Sequence, residues 1–160
     1  MREGSRIVLS LIIVLVLTTV AMAAEPIIGT WKLNFAKSKM PLTPQQAIKE
    51  ETIVVRQVGD QFEITSTGIR MDGSPFSSKY TIPLQGGAAT YQQGALDEAV
   101  SNIFTRIDTN TMYMTRLRNG KQVGVSRIVV SKDGKTIQNT TKGMDVQGKL
   151  FERVTVFEKQ

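Results

Sequence analysis

Five arginines, Arg56, Arg70, Arg106, Arg116 and Arg127, each stand within or at the end of a short run rich in Val, Ile, Thr, Tyr and Phe. A guanidinium is a planar fork of donors that suits a carboxylate or phosphate. Turned into an apolar interior it is a costly charge unless an acid group or an anionic ligand meets it; turned outward it is ordinary solvated charge. The alternation inside two of these runs bears on the choice. Met112, Met114 and Arg116 share one face of their strand, and Tyr113, Thr115 and Leu117 share the other. In the next run Val123, Val125, Arg127 and Val129 alternate with Gly124, Ser126, Ile128 and Val130, so both faces are partly apolar. A barrel enclosing a cavity has strands of this kind. Arg116 and Arg127 are the arginines expected to point inward, with Met112 and Met114 beside them as ligand-contacting or core-filling side chains.

Other chemistries are excluded by what the chain lacks. There is no His and no Cys. Ser-His-Asp and Cys-His nucleophiles, His or Cys metal sites, His-ligated haem and disulfide staples are therefore all ruled out. No cofactor or metal is expected. Gly143 to Lys149 fits the opening of a phosphate-binding loop, but Leu150 follows where Ser or Thr is needed, and a β-branched strand continues instead of a helix. That segment reads as a hairpin turn. Glu50-Glu51 and Asp97-Glu98 are neighbours in sequence. On a strand the members of such a pair point to opposite faces, so neither forms the facing acid and base of a glycosidase, and both read as surface charge.

The elements that must position these residues are strands. Turn signals recur at Gly59-Asp60, Asp72-Gly73, Gly86-Gly87, Asp108 to Asn110, Asn119-Gly120, Asp133-Gly134 and Asp145 to Gly148. Between them the pattern predicts strands near 29–35, 51–58, 61–69, 75–83, 88–93, 100–108, 111–118, 121–131, 135–142 and 149–158. The fold class is all-β: an up-and-down antiparallel meander of eight to ten strands closed into a barrel, since closure removes the edges a flat sheet would expose. A short helix or turn is expected within 43–49, where Thr43, Pro44 and Gln46 fit N-cap, N1 and N3. Residues 94–101 are a second candidate for a helical turn or loop.

Ahead of the strands, Arg2 and Arg6 precede an apolar run from Ile7 to Val20, and Ala21-Met22-Ala23 supplies small residues at the cleavage-determining positions. This has the form of a secretory signal peptide over residues 1–23, too short for a span, followed by a single barrel domain over 24–160. Removing Arg2, Glu3 and Arg6 with the leader takes the net charge from +6 to +5. The basic residues are dispersed with no block of five or six, so no nucleic-acid partner and no membrane span after cleavage are expected. The exported protein is expected to be periplasmic or secreted, and monomeric.

Near the mature N-terminus stands "GTWKLNFAKSK", Gly29 to Lys39, with the only Trp of the chain. Gly29-x-Trp31 on a first strand resembles the signature shared by lipocalins and fatty-acid-binding proteins. "KLFERVTVFEK" is similar to their last strand in placing an Arg, here Arg153, close to the chain end. The mature chain as a whole resembles small secreted bacterial proteins of lipocalin-like type. The resemblance implies a calycin barrel in which Trp31 plugs one end and the Arg153 guanidinium lies over its ring. In fatty-acid-binding proteins an Arg-x-Tyr on the final strand holds the ligand carboxylate; the matching place here reads Arg153-Val154-Thr155, without the tyrosine.

The function expected from all of this is non-catalytic binding of a small apolar or amphipathic molecule inside the barrel. Two other readings fit the same residues. One is a filled barrel whose surface serves as an envelope-structural or protein-interaction module. The other is an enzyme without His or Cys that uses Asp, Glu or Tyr in the cavity.

Overall fold

The computed structural model describes residues 25–40, 48–94, 99–145 and 147–160. Eleven strands run in chain order: β1 Gly29–Leu33, β2 Ile48–Val58, β3 Gln61–Arg70, β4 Pro75–Pro83, β5 Gly86–Ala88, β6 Thr90–Gln93, β7 Val100–Arg106, β8 Thr111–Arg118, β9 Lys121–Val130, β10 Thr136–Met144 and β11 Leu150–Lys159. All pair antiparallel in one sheet, in the order β5-β7-β8-β9-β10-β11-β1-β2-β3-β4-β6. The expected meander is present, and its first and last strands meet in the middle of that order, with Trp31 opposite Lys159.

The two outer strands of the order, β5 and β6, are neighbours in sequence, separated by Ala89 alone. The chain leaves β4, pairs as β5 with β7, and then pairs as β6 back with β4. This one bent segment nearly closes the barrel. Glycine makes the bend feasible: Gly86 has φ +93°, and a Cβ there would stand 2.7 Å from the Phe104 carbonyl oxygen. The strand count exceeds the eight to ten expected because the run near 88–93 is broken at this seam, and its Gly-Gly start was not legible as strand.

Among the described residues the helical structure is one 3-10 turn, Phe35–Lys37, capped by Asn34. No described helix is long and apolar enough to cross a membrane. The helix or turn expected within 43–49 falls mostly outside the described residues, and Ile48 already begins β2; of the second candidate segment, 95–98 are likewise outside, and Val100 begins β7. The signal peptide expected over residues 1–23 also lies outside the described residues.

Alternation sorts the side chains into two faces, and the interior face is graded along the barrel axis. Toward the end where β1 begins, it carries Trp31, Val55, Phe62, Ile82, Phe104, Met112, Val130, Ile137 and Phe157, all buried. Trp31 is 0% exposed, and its indole N–H donates to the Ile27 carbonyl at 2.9 Å. The aromatic ring thus fills this end, as the resemblance implies. Arg106 reaches into the same end, where it pairs with Glu25 at 2.6 Å and donates to the Leu84 carbonyl at 3.1 Å. In the other half the interior side chains become small or polar. Ser66, Ser126, Thr141 and Thr155 are buried there, and Gly68, Gly124 and Gly143 share their face. Large groups close one end, and small or polar groups line the interior face of the other half.

Candidate functional site in the barrel interior

Above the packed end, six strands bring ionisable or amide side chains into one interior layer. Register places them. Glu51 on β2 lies opposite Gly68, and Tyr80 on β4 lies opposite Ile64 and Tyr91. Asn102 on β7 is opposite Arg116 on β8, and Arg153 on β11 is opposite Thr141. Each is on the inward face for the same reason: it is an even number of residues from a buried apolar neighbour on its own strand, as Glu51 is from Val55 and Asn102 from Phe104.

These groups form a partly connected network. Arg116 Nε donates to Asn102 Oδ1 at 3.3 Å, and Asn102 Nδ2 in turn donates to the Tyr91 hydroxyl. The Tyr91 ring packs against Tyr80 with centroids 5.0 Å apart, and Tyr80 stacks toward Phe104 at 6.2 Å. Across the interior, Ser66 Oγ donates to Glu51 Oε1 at 2.6 Å. Ser126 and Thr141 share a hydrogen bond of 2.8 Å. Arg153 is different: its Nε is buried and makes no hydrogen bond.

The electrostatics follow from taking charges out of water. Burial pushes the Glu51 carboxyl above its ordinary 4.5, more than the Ser66 hydrogen bond and the Arg153 charge pull it down. Burial also lowers Arg153, helped by the like charge of Arg116 and opposed by Glu51. Tyr80 is pushed well above its usual range by burial, then by Tyr91 and Glu51, with Arg116 working against them. Two guanidiniums therefore feel each other, and one of them, Arg153, also feels the Glu51 carboxylate. With all three ionised the layer carries one unbalanced positive charge and an unused N–H, an arrangement that can accept an anion. Phe76 and Phe151 stand on the same face, nearer the opposite end from Trp31.

Of the residues expected from sequence, Arg116 is inward and part of this network. Met112 is buried in the packed end, and Met114, half-buried, stands between it and Arg116 on the same face. Arg127 is corrected: it is exposed, opposite Tyr113 and Thr140 on the outer face, while Gly124, Ser126, Ile128 and Val130 face inward. With apolar residues on both sides of β9, alternation could not decide between the faces. The Trp31–Arg153 pair is also corrected. The cation over the Trp31 ring is the Lys159 ammonium, 5.1 Å from the centroid. Arg153 is six residues earlier on β11, roughly 20 Å along the strand, and belongs to the polar layer instead.

Glu51, Tyr80, Tyr91 and Asn102 were missed as site residues. The opposite-face rule does hold for Glu50-Glu51, since Glu50 is exposed and Glu51 faces inward. A signal existed in β4, where Phe76, Ser78, Tyr80 and Ile82 alternate with polar Ser77, Lys79 and Thr81.

Similarity to known proteins is confined to the fold. No protein-family model and no curated protein sequence matches the chain. The crystal structure of Rv2717c from M. tuberculosis is similar at a TM-score of 0.50 and 14% identity, covering 84% of this chain and 93% of that one. Lobster apocrustacyanin A1 gives a TM-score of 0.41 at 14% identity, covering 86% of this chain and 62% of that one.

Proposed function

We propose that this is an exported, lipocalin-like binding protein that takes up a small amphiphile with a single anionic head and does not transform it. The observation that carries the reading is the pair Arg116 and Arg153 inside the barrel, with Glu51 the one carboxylate that the described strands place in their layer and with the Arg153 Nε unpartnered. A buried N–H without an acceptor costs about 1–3 kcal/mol, and an anion in the layer would recover it. The head would sit among the small side chains of this half, with Met114, Phe76 and Phe151 offering apolar surface to the tail. Burial of that tail contributes ~25 cal/mol per Å². Export to the periplasm or beyond rests on the leader-like residues 1–23.

The test is saturable binding of a dansylated undecanoic acid to delipidated protein, displaced by unlabelled fatty acid. Arg116→Ala should weaken binding by about 10- to 150-fold, the worth of one hydrogen bond to a charged group. Arg127→Ala should leave it unchanged. Equal effects of the two variants, or no saturable binding, would reject the reading and favour a filled barrel.

A further inference from the structure

Glu51 is the one carboxylate that the described strands place in the polar layer, and the anion-binding reading above gives it no role. Its setting is well defined. Ser66 of β3 donates to it at 2.6 Å. The charged and titratable groups facing it are Arg153 from β11, Tyr80 from β4 and, beyond Tyr80, Tyr91 from β6 and Arg116 from β8. On the flanking strands, β3 contributes Ser66, Gly68 and, at its far end, Arg70, whose guanidinium lies 5.0 Å from the Phe76 ring centroid, and the one titratable group of β1, Lys32, is exposed on the outer face. Burial holds Tyr80 neutral well beyond neutral pH.

A ligand anion seated on Arg116 and Arg153 therefore meets one negative charge, that of Glu51, in an interior where like charges are poorly screened. Both anions draw on Arg153, the guanidinium that the Glu51 charge already acts on. We propose that Glu51 is a built-in competitor of the ligand's anionic head, so that the anion enters together with a proton taken from solvent by the Glu51 carboxyl. The inference rests on the interior being the binding site. Its direction follows from linkage: the ligand's charge makes ionised Glu51 costlier, so ligand raises proton affinity and proton raises ligand affinity by the same factor. Glu51 starts from an already raised proton affinity because burial outweighs its partners. Loading is favoured in acid and release in neutral or alkaline solution.

The probe is octane-1-sulfonate, which stays ionised at every pH used, so that any pH dependence belongs to the protein. Its Kd, measured by calorimetry between about pH 5 and pH 8.5, should weaken on the order of tenfold, within the usual range of coupling between sites. Glu51→Gln should bind with the tight, acid-side Kd throughout. Titrations of the unaltered protein in buffers of different ionisation enthalpy should show proton uptake on binding, a readout that needs no variant to fold. A flat Kd, a Glu51→Gln protein that keeps the full pH slope, or binding without proton uptake would each overturn the proposal. If octane-1-sulfonate fails to bind while neutral Nile red still enters, the anion site itself is wrong. If neither binds, the carrier reading falls, and the proposal with it.

Discussion

Lys159 lies across Trp31: the two residues are cross-strand partners of β11 and β1, and the ammonium stands 5.1 Å from the ring centroid. Gly29 completes the arrangement, since a Cβ there would come within 2.6 Å of the Lys159 side chain. The Gly-x-Trp spacing thus leaves a groove for a lysine stem over an indole that closes the barrel end. A contact of this kind contributes ~0.5–1 kcal/mol at an exposed site. Trp31→Ala should cost ~3–5 kcal/mol through lost core volume and cannot isolate the contact. A double-mutant cycle of Trp31→Phe with Lys159→Met can, and should give a coupling near ~0.5 kcal/mol by urea unfolding. The cycle of Trp31→Phe with Arg153→Met should be additive.

Arg106 and Glu25 hold the closed end by charge. The pair is 2.6 Å apart, with side chains 11% and 26% exposed. Removing one partner strands a mostly buried ion, so Glu25→Gln should destabilise by ~1–3 kcal/mol. Adding Arg106→Met should restore part of that loss, because the unpaired guanidinium is gone. Greater instability in the double variant than in the sum of the singles would contradict this account.

The seam between β4 and β7 depends on backbone geometry. Gly86→Ala combines a φ of +93° with a Cβ 2.7 Å from a carbonyl oxygen, whereas at Gly134, φ +68°, a Cβ would meet nothing within 4 Å. Both substitutions carry conformational strain of about 1 kcal/mol, and only the first adds a backbone clash. Thermal unfolding should therefore rank Gly86→Ala clearly below Gly134→Ala. Equal losses would show that the seam yields without cost.

Stability should depend on pH through groups of opposite sign. The folded protein holds a proton on Glu51 more tightly than the unfolded chain does. Between the unfolded pKa near 4.5 and the higher folded value, the folded state binds more protons, so stability from this group falls as pH rises through that window. Asp72, Asp133 and Glu158 are lowered by hydrogen bonds from Ser74, from Ser131 and from Lys37 respectively, and contribute stability that is lost as pH falls through their folded values. In urea titrations without ligand, the midpoint of Glu51→Gln minus that of the unaltered protein should grow from pH 4.5 to pH 7.5. A difference that shrinks over this range would mean that Arg153 outweighs burial at Glu51.

The sequence by itself determined the fold class. Closely spaced Asp, Asn and Gly turns between β-branched runs leave an antiparallel meander as the economical way to bury one face of every strand, and a lone Trp on an apolar strand face must go to the core. It also determined that Arg116 shares a face with Met112 and Met114, because period-two alternation is local. What it could not determine is which face of β9 is the inside, since Val and Ile stand on both, and only the pairing of Ser126 with Met114 and Thr141 settles that Arg127 points out. Nor could it place the register of β11 on β1. That offset, set by where the whole sheet closes, puts Lys159 over Trp31 and carries Arg153 up to Arg116 and Glu51. Those three residues are 37 or more positions apart in sequence, and their meeting is a property of barrel closure alone.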